Sequence, residues 1–296
     1  MNPLEIPLQL WAFQIFTGLA QGSLLVLLAV GLSLIFGMLT VVNFAHGAFY
    51  MVGAYVGVFV FMQTGNFWLG LVAVPIGVGT IGLAVERFLV RPLYGRGIDY
   101  PLLLTFGLSY VFIDLVKMVF GKVGLPFDAP EALRGAVDIG IGYFPAYRLF
   151  LIAAMVVLVA GLWLFLEKTS YGLVVRAGAR DNEIVKVLGI DISKIWLMVF
   201  GIGTATAGIA GYLSAPMQSV IPEMGVPVLV QAFVVTVVGG MGSLVGAVVA
   251  GLMVGVVMAV TSLVAPQLAD ASMFALMALV LLVRPQGLFG RKGLME

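Results

Sequence analysis

The chain has 296 residues, of which 62% are hydrophobic, 10% are charged and none is cysteine. This composition excludes an ordinary soluble domain and indicates an integral membrane protein, and the lack of cysteine excludes disulfide bonds and thiolate metal sites. The net charge of +1 gives no sign of a nucleic-acid partner, and we expect none.

Two long stretches of the chain are almost free of charge. In residues 6–85 only His46 could carry one, and in residues 195–283 only Glu223 and Asp270 do. About eighty residues of helix would extend about 120 Å, which is several crossings of a bilayer core about 30 Å thick. The stretches also lack the alternation of apolar and polar residues that outer-membrane strands have. We therefore predict an all-α, polytopic bundle of membrane helices.

Apolar segments separated by glycine, proline or charged residues predict the individual membrane helices. In chain order they are Leu8–Phe36, Phe44–Met62, Phe67–Val85, Pro101–Phe120, Tyr147–Leu166, Trp196–Ala215, Val228–Val238, Leu244–Val264 and Ala271–Val283. We expect about eight crossings, within about seven to nine, because the breaks at 37–43 and 239–243 contain no charge and could be turns or intramembrane bends. Residues 1–296 are expected to form a single transmembrane domain. The N-terminus has no basic residue before its apolar run, so we expect no cleaved signal peptide.

Basic residues predict which side of the membrane each loop faces. Eleven of the fifteen Lys and Arg fall in three groups that the count of crossings places on one side. These groups are Arg87, Arg91 and Arg96; Lys168, Arg176, Arg180, Lys186 and Lys194; and Arg284, Arg291 and Lys292. By the positive-inside rule they and the C-terminus are predicted to be cytoplasmic. The N-terminus is then extracytoplasmic, and so is the loop 121–145, which we expect to form a small amphipathic cap.

The densest charge lies in residues 167–195, which we call the connector and which separates two membrane-length runs. Its charged residues include Lys168, Arg176, Arg180, Asp181, Glu183, Lys186, Asp191 and Lys194. We predict a break at Tyr171-Gly172, one short helix over Leu173–Leu188 and a left-handed C-terminal cap at Gly189. An ordered helix on the wet side of a membrane protein is a natural contact surface for a partner.

Small residues four positions apart indicate close helix packing, because short side chains let backbones approach each other in lipid. Such sets are Gly18 with Gly22, Gly203 with Ala207 and Gly211, Gly242 with Gly246, and Gly251 with Gly255. We expect most of these glycines to serve packing alone.

One polar motif at membrane depth contains Asn43 and His46, the only histidine of the chain. It is compatible with a helix start, in which Asn43 accepts from freed amides and His46 bonds a nearby carbonyl. It is also compatible with the lining of a conduit, because intramembrane polar groups are often functional. A metal site is not expected, since no second histidine and no nearby acidic residue is present.

A second motif is the glycine break at 238–243, which would expose backbone amides and carbonyls. The chain has no GxxxxGK[ST] run, so it lacks a phosphate-binding loop of that type. A nucleophilic role for Ser243 lacks a plausible base. Elsewhere, Asp114 and Lys117 lie three residues apart and predict either an ion pair near the outer end of a helix or a proton relay. With so few buried ionisable groups, the chain is typical of a transport protein whose energy source lies on another polypeptide.

Five segments of the chain occur together, in this order, in one family of membrane proteins. They are GLSLIFGMLTVVNFAHGAFYMVGAYVG at 31–57, ERFLVRPLYGR at 86–96, GLVVRAGARDNEIVKVLGID at 172–191, VVGGMGSLVGAVVAG at 237–251 and RPQGLFGR at 284–291. In this combination the chain resembles the LivH-type permease subunits of branched-chain amino acid ABC importers. Permeases for urea and short amides are similar too, so the substrate stays open between these classes.

The resemblance implies a transport subunit without enzymatic activity and without a cofactor, in the bacterial cytoplasmic (inner) membrane. It would pair with a LivM-type homologous permease, sit on two cytoplasmic ATPase subunits and receive substrate from a periplasmic or lipid-anchored binding protein. The family's coupling segment would fall on Gly172, Arg176, Ala177, Asp181, Gly189 and Ile190. We expect the translocation path to involve Asn43, His46, Gln231, Gly239, Gly240, Gly242 and Ser243.

Two departures from the family pattern bear on this expectation. Members often have alanine where Val185 and Lys186 stand, and many have lysine where Gln231 stands. The first difference bears on how the connector binds the ATPase, and the second bears on which ligands the protein accepts. The main alternative is a stand-alone channel or facilitator for a small neutral solute, with the two glycine-rich breaks as its filter. An intramembrane enzyme is disfavoured by the shortage of a paired acid, base and nucleophile.

Overall fold

The computed structural model describes residues 7–39, 41–140 and 142–290, and over these ranges the protein is a bundle of helices with one small hairpin. The helices are α1 (Leu8–Leu39), α2 (His46–Thr64), α3 (Phe67–Val85), α4 (Asp99–Phe120), α5 (Ala146–Lys168), α6 (Ser170–Gly178), α7 (Asn182–Val187), α8 (Ile192–Ser214), α9 (Gly225–Gly239), α10 (Leu244–Val264) and α11 (Ala269–Val283). The hairpin pairs β1 (Ala136–Asp138) antiparallel with β2 (Tyr143–Pro145). The predicted all-α fold class is confirmed.

Eight helices of the described ranges are long and apolar enough to cross a membrane, as the apolar segments predict. The helix α9 is not among them, because its fifteen residues rise only about 22 Å, against about 30 Å for a bilayer core. The helix α11 is equally short, but it continues directly from the 3₁₀ turn Pro266–Leu268, and together they form a segment of 18 residues. Predicted and observed helices agree except near their ends. The largest differences are that α8 begins at Ile192, four residues ahead of the predicted start, and that α1 ends and α9 begins three residues away from the predicted positions.

The centre of the bundle is α1, which packs against α8, α9 and α10. Its glycines make this possible: a Cβ atom at Gly22 would overlap the backbone of Gly251, and one at Gly31 would overlap Gly203. The same close approach joins α2 to α8, where Gly53 lies against Gly208. The packing role predicted for the small-residue pairs is therefore confirmed at Gly22, Gly203 and Gly251.

The loops gather at two opposite ends of the bundle. At one, the connector end, Arg91 donates to the carbonyl of Ser193 at 3.0 Å and Gly37 packs against Gly242. At the other, the hairpin end, the backbones of Leu125 and Val220 form a two-way bridge.

The described residues of all three predicted basic groups lie at the connector end. Arg87, Arg91 and Arg96 lie in the loop joined to Ser193, and Arg284 follows α11 beside the glycine break. Arg291 and Lys292 lie outside the described residues. The grouping predicted from the sequence is thus reproduced in space, while the side of the membrane stays a prediction.

In place of the predicted break at 37–43, α1 continues to Leu39, and residues 41–45 form a non-helical, largely buried segment that precedes α2. The His46 Nε2 atom, in the first turn of α2, lies 3.0 Å from the carbonyl oxygen of Leu28. Leu28 is eleven residues before the end of α1 at Leu39, a rise of about 16 Å. The helix α2 therefore starts deep in the bundle, well above the connector end.

The break at 239–243 is a tight turn at the connector end. Gly240 and Gly242 have φ angles of 97° and 81°, a backbone region that residues with a Cβ atom rarely adopt. Ser243 then begins α10, because its hydroxyl oxygen accepts from the Gly246 amide at 3.0 Å. Of the two expected possibilities, turn or bend, the structure has a turn here.

The prediction of one connector helix over Leu173–Leu188 is wrong, because two capping side chains divide the segment. Thr169 has an extended backbone and its hydroxyl oxygen accepts from the Gly172 amide, so α6 begins there and Tyr171-Gly172 is not a break. Asp181 accepts from two amides at 2.9 and 3.0 Å and starts α7. The predicted left-handed cap at Gly189 is confirmed, with φ at 76°.

The predicted pairing of Asp114 with Lys117 is also wrong. Lys117 Nζ lies 2.6 Å from Glu223 Oε1, which belongs to the segment that precedes α9. Glu223 is more than a hundred residues away in sequence, so a search for partners three or four positions apart on one helix does not reach it. The ion pair joins α4 to α9 at the hairpin end.

The Lys117–Glu223 pair predicts a pH dependence of stability. The hydrogen bond from Lys117 lowers the pKa of the Glu223 carboxyl from its ordinary value of 4.5. A carboxyl whose pKa is lowered by folding contributes stability above its unfolded pKa and loses that contribution as the pH falls through the folded value. We expect Lys117→Met to lower the unfolding temperature slightly at about pH 7, with a difference from the unmodified chain that closes as the pH falls below about 4.

Thermal unfolding in detergent across this pH range measures the effect. Lys122→Met serves as the control, because Lys122 lies in the same region and makes no ion pair among the described residues. A difference that stays constant down to about pH 3 would contradict the assignment.

The contact of Gly53 with Gly208 predicts a second effect on stability. We expect Gly53→Ala to destabilise the chain by about 1–3 kcal/mol, because the added methyl group must displace the backbone of α8. Gly161→Ala on α5 is the matched control, since a Cβ atom there would meet nothing within 4 Å. The control should be neutral or gain up to about 1 kcal/mol from helix propensity. Equal unfolding temperatures for both variants would refute this account of the α2–α8 contact.

Candidate functional site

The connector is folded back onto the end of the bundle. Gly172 is buried, and a Cβ atom there would overlap the backbone of Leu166 at the end of α5. Arg176 donates to the carbonyl of Leu166 and lies 3.3 Å from Glu167. Two of the expected coupling residues, Gly172 and Arg176, thus attach α6 to α5.

The remaining expected coupling residues lie on the outside of the connector. Ala177, Asp181, Gly189 and Ile190 are exposed, and Asp181 also holds the start of α7.

Sequence reasoning missed the most exposed apolar face of the connector, which is on α7 and its C-terminal cap. Val187 is 87% exposed, and Ile184 and Leu188 are exposed beside it. We call these three residues the α7 face; Ile184 and Leu188 also border the cavity described below, whereas Val187 does not. Their spacing of three and four positions inside a charged segment is the signal that could have indicated them. An apolar face of this kind at the wet end of a membrane protein is suited to bind another protein.

A cavity of about 800 Å³ separates the connector from the bundle. Its walls come from α1, α5, α6, α7 and α10 and from the turn that precedes α10. The expected site residues on its walls are Arg176, Ala177, Asp181, Gly242 and Ser243. The structure thereby brings together the coupling segment and the glycine break, two motifs that are some sixty residues apart in sequence.

The other expected path residues form a second group, away from this cavity. Asn43, in the non-helical segment before α2, and His46, the first residue of α2, are fully buried. The Asn43 side-chain oxygen accepts from the Ala45 amide at 3.1 Å, and the cap position of α2 is Ala45 itself. The Asn43 Nδ2 and His46 Nδ1 atoms are buried and have no hydrogen-bond partner in the described chain. The motif is therefore more than a helix start, since two polar atoms are left over at membrane depth.

The start of α9 meets the start of α2 at this level. A Cβ atom at Gly47 would overlap the backbone of Gly225, and the rings of Phe44 and Phe233 are 5.3 Å apart. Gln231 is half-buried on α9, two residues before Phe233. Asn43, His46 and Gln231 thus occupy neighbouring elements, with the N-termini of two helices close together.

The C-terminal tail closes the glycine break, which the sequence did not predict. The amides of Leu288 and Phe289 donate to the carbonyls of Val238 and Gly239 at 2.8 and 3.0 Å. Gly240 packs directly against the backbone of Gly290, where a Cβ atom would overlap it. Gly239 and Gly240 are therefore buried under the tail, while Gly242 is exposed beside the cavity.

The residues that the structure describes hold no group of three or more His, Cys, Asp or Glu side chains that could ligate a metal ion.

Comparisons with a family model and with individual known proteins identify the same family. The model of the family described as branched-chain amino acid transport system / permease component matches residues 14–283. The chain is 33% identical to the high-affinity branched-chain amino acid transport system permease protein BraD of Pseudomonas aeruginosa, over 94% of this chain and 95% of the relative. It is 31% identical to the corresponding LivH of Salmonella typhimurium over the same shares.

A more distant similarity joins the chain to a second permease type. It is 26% identical to the permease protein LivM of Escherichia coli, over 94% of this chain and 71% of the relative. No solved structure matches the chain. With a family model that covers residues 14–283 and relatives that align over nearly their whole length, the chain belongs to the permease components of branched-chain amino acid transport systems.

Proposed function

We propose that this chain is a permease subunit of an ATP-driven importer and forms a translocation path for branched-chain or other neutral amino acids. The observation that carries the proposal is the shared cavity, which residues of the connector and of the glycine break line together. A partner that displaces the connector would therefore change the cavity and, through it, the position of the turn between α9 and α10. In this proposal the connector receives the movement of the ATPase, and the turn between α9 and α10 is the part of the translocation path that moves.

ATP hydrolysis is assigned to two separate ATPase subunits that bind at the connector end. The α7 face supplies the apolar contact, and the surrounding Asp181, Glu183 and Lys186 supply a charged rim. This combination of apolar centre and polar rim is the usual anatomy of a protein interface. The connector end is then cytoplasmic, in the inner membrane of a bacterium, which agrees with the concentration of Lys and Arg there.

A second permease of the LivM type is the proposed partner in the membrane. In α4 and α11 only 17% and 11% of the best apolar window is buried, so most of both helices is covered by lipid or by another subunit. The similarity of this chain to LivM supports two related halves around one path. A binding protein outside the membrane would deliver substrate at the hairpin end.

The composition of the path supports a neutral or zwitterionic substrate. Its expected residues are glycines, Ser243, Asn43, Gln231 and His46, and no carboxylate, lysine or arginine is among them. An ion carried as such would meet no countercharge there, whereas an amino acid with an apolar side chain carries its own compensating charges.

A substitution on the α7 face tests the docking assignment. We expect Val187→Glu to abolish ATP-driven leucine uptake by the reconstituted complex, because a carboxylate would be buried at the apolar contact with the ATPase. Val187→Met is the matched control, since it keeps an apolar side chain at the same exposed position and should leave uptake unchanged. Co-purification of the ATPase subunits with each variant shows whether a loss of uptake is due to a loss of ATPase binding. Normal uptake by Val187→Glu would remove the α7 face from the interface.

A second experiment separates the importer from a stand-alone facilitator. Proteoliposomes with the full set of subunits are expected to accumulate leucine against its gradient only with ATP, and liposomes with this chain alone are expected to take up neither leucine nor urea. Rapid equilibration of either solute by the chain alone would support the facilitator instead. ATP-driven uptake of urea but not leucine would retain the importer and replace the substrate.

A further inference from the structure

A fully buried carboxylate lies where α3 ends at the connector end, in the segment ERFLVRPLYGR, to which no role has yet been given. Glu86 is 0% exposed. It accepts two hydrogen bonds from Arg91, at 3.1 and 2.8 Å, and a third from the Tyr94 hydroxyl at 3.1 Å. Burying an ion pair is costly even when its geometry is good, so simple stabilisation of the fold does not explain it well.

An unusual backbone brings these side chains together. Residues 86–90 form a π-helical turn, and Arg91–Leu93 form a 3₁₀ turn. In the π turn the amide of Arg91 donates to the carbonyl of Glu86, so the two residues lie one above the other. In a regular α-helix residues five apart point in different directions. The irregular turn is thus what allows Arg91 to reach both oxygens of Glu86.

The cluster continues into the first turns of α8. Arg91 Nη2 also donates to the Ser193 carbonyl at 3.0 Å, and the Tyr94 ring packs edge-on against Trp196 with centroids 4.8 Å apart. On its other side the start of α8 is capped by Asp191, the last residue of the coupling motif, which accepts from the Ser193 amide at 3.1 Å. The first turn of α8 is therefore held by the connector and by the end of α3 together.

Above the cluster, α3 and α8 stay in contact over their whole length. Midway, a Cβ atom at Gly208 would overlap the side chain of Val78. At the hairpin end the Tyr212 hydroxyl donates to the Phe67 carbonyl at 2.8 Å, and their rings stack with centroids 4.9 Å apart. Contacts at three levels allow the two helices to behave as one rigid unit.

We propose that Glu86, Arg91 and Tyr94 are positioning residues that fasten α3 to the first turn of α8, so that a displacement of the connector moves both helices as one body. Without the cluster, a displacement of the connector would move the start of α8, and the end of α3 beside it would not follow to the same extent. The proposal rests on the proposed function in one respect, namely that the connector is the part on which the ATPase acts.

The absence of cysteine from the sequence makes a direct test possible. Spin labels on cysteines introduced at Leu89 and Lys194, both exposed, report the distance between the end of α3 and the start of α8. A second pair at Lys194 and Leu282 reports movement of the α8 start relative to α11. In the complete transporter we expect ATP to change the second distance and not the first. With Arg91→Lys, which keeps the charge and loses the forked donor, ATP should change the first distance as well.

Transport measurements on the same variants separate positioning from folding. We expect Arg91→Lys to cause a several-fold loss in leucine imported per ATP hydrolysed, and Tyr94→Phe to cause a smaller loss because it keeps the ring against Trp196. Arg87→Lys is the matched control, since Arg87 is exposed one residue after Glu86, and its ratio should not change.

Two outcomes would overturn the proposal. One is an ATP-dependent change of the Leu89–Lys194 distance in the unmodified transporter. The other is a parallel fall of uptake and hydrolysis in Arg91→Lys with the ratio unchanged, which indicates a loss of folded protein only. If instead the chain alone transports without ATPases, the proposed function fails, while a broader Leu89–Lys194 distance distribution in Arg91→Lys than in the isolated, unmodified chain would still support the cluster.

Discussion

The close approach of helix backbones at glycine is the constraint on which the rest of the structure depends. In lipid, burial of apolar surface gives helices little reason to associate, so packing contacts and satisfied polar groups must hold the bundle together. Here α1 meets α10 at Gly22 and Gly251 and meets α8 at Gly31 and Gly203. These contacts fix the centre of the bundle. The less buried helices, α4, α5 and α11, are left at the periphery, where other subunits and lipid are available to them.

Around this rigid centre, the connector end is built from parts that are far apart in sequence. The end of α1, the loop after α3, the connector, the turn before α10 and the tail all meet there. Two kinds of contact set the path of the connector: Thr169, Asp181 and Asp191 each begin a helix, and Val175, Val185 and Ile192 are buried in an apolar cluster with Met38 of α1. The segment is therefore ordered and attached to the bundle, while most of its charged residues stay exposed. That combination suits a part that receives a movement from a partner.

Local patterns predicted much of this structure, and non-local contacts account for most of what they did not predict. Apolar run length located nearly every membrane helix, because the thickness of a bilayer leaves little freedom in helix length. The left-handed turn at Gly189 was equally local. In contrast, the partner of Lys117 is Glu223, and the break after α9 is closed by Leu288 and Phe289, none of which is near in sequence. The division of the connector into two helices was predictable in principle, since Thr169 and Asp181 are good caps, but the longer apolar pattern favoured a single helix.

The tail contact has a consequence for how the protein is made. The carbonyls of Val238 and Gly239 are among those that a helix C-terminus leaves without an internal partner. Their donors, the amides of Leu288 and Phe289, leave the ribosome only after α10 and α11 have been synthesised. Until then these carbonyls must rely on water or lipid headgroups, so the connector end can reach its final form only after the tail has been synthesised.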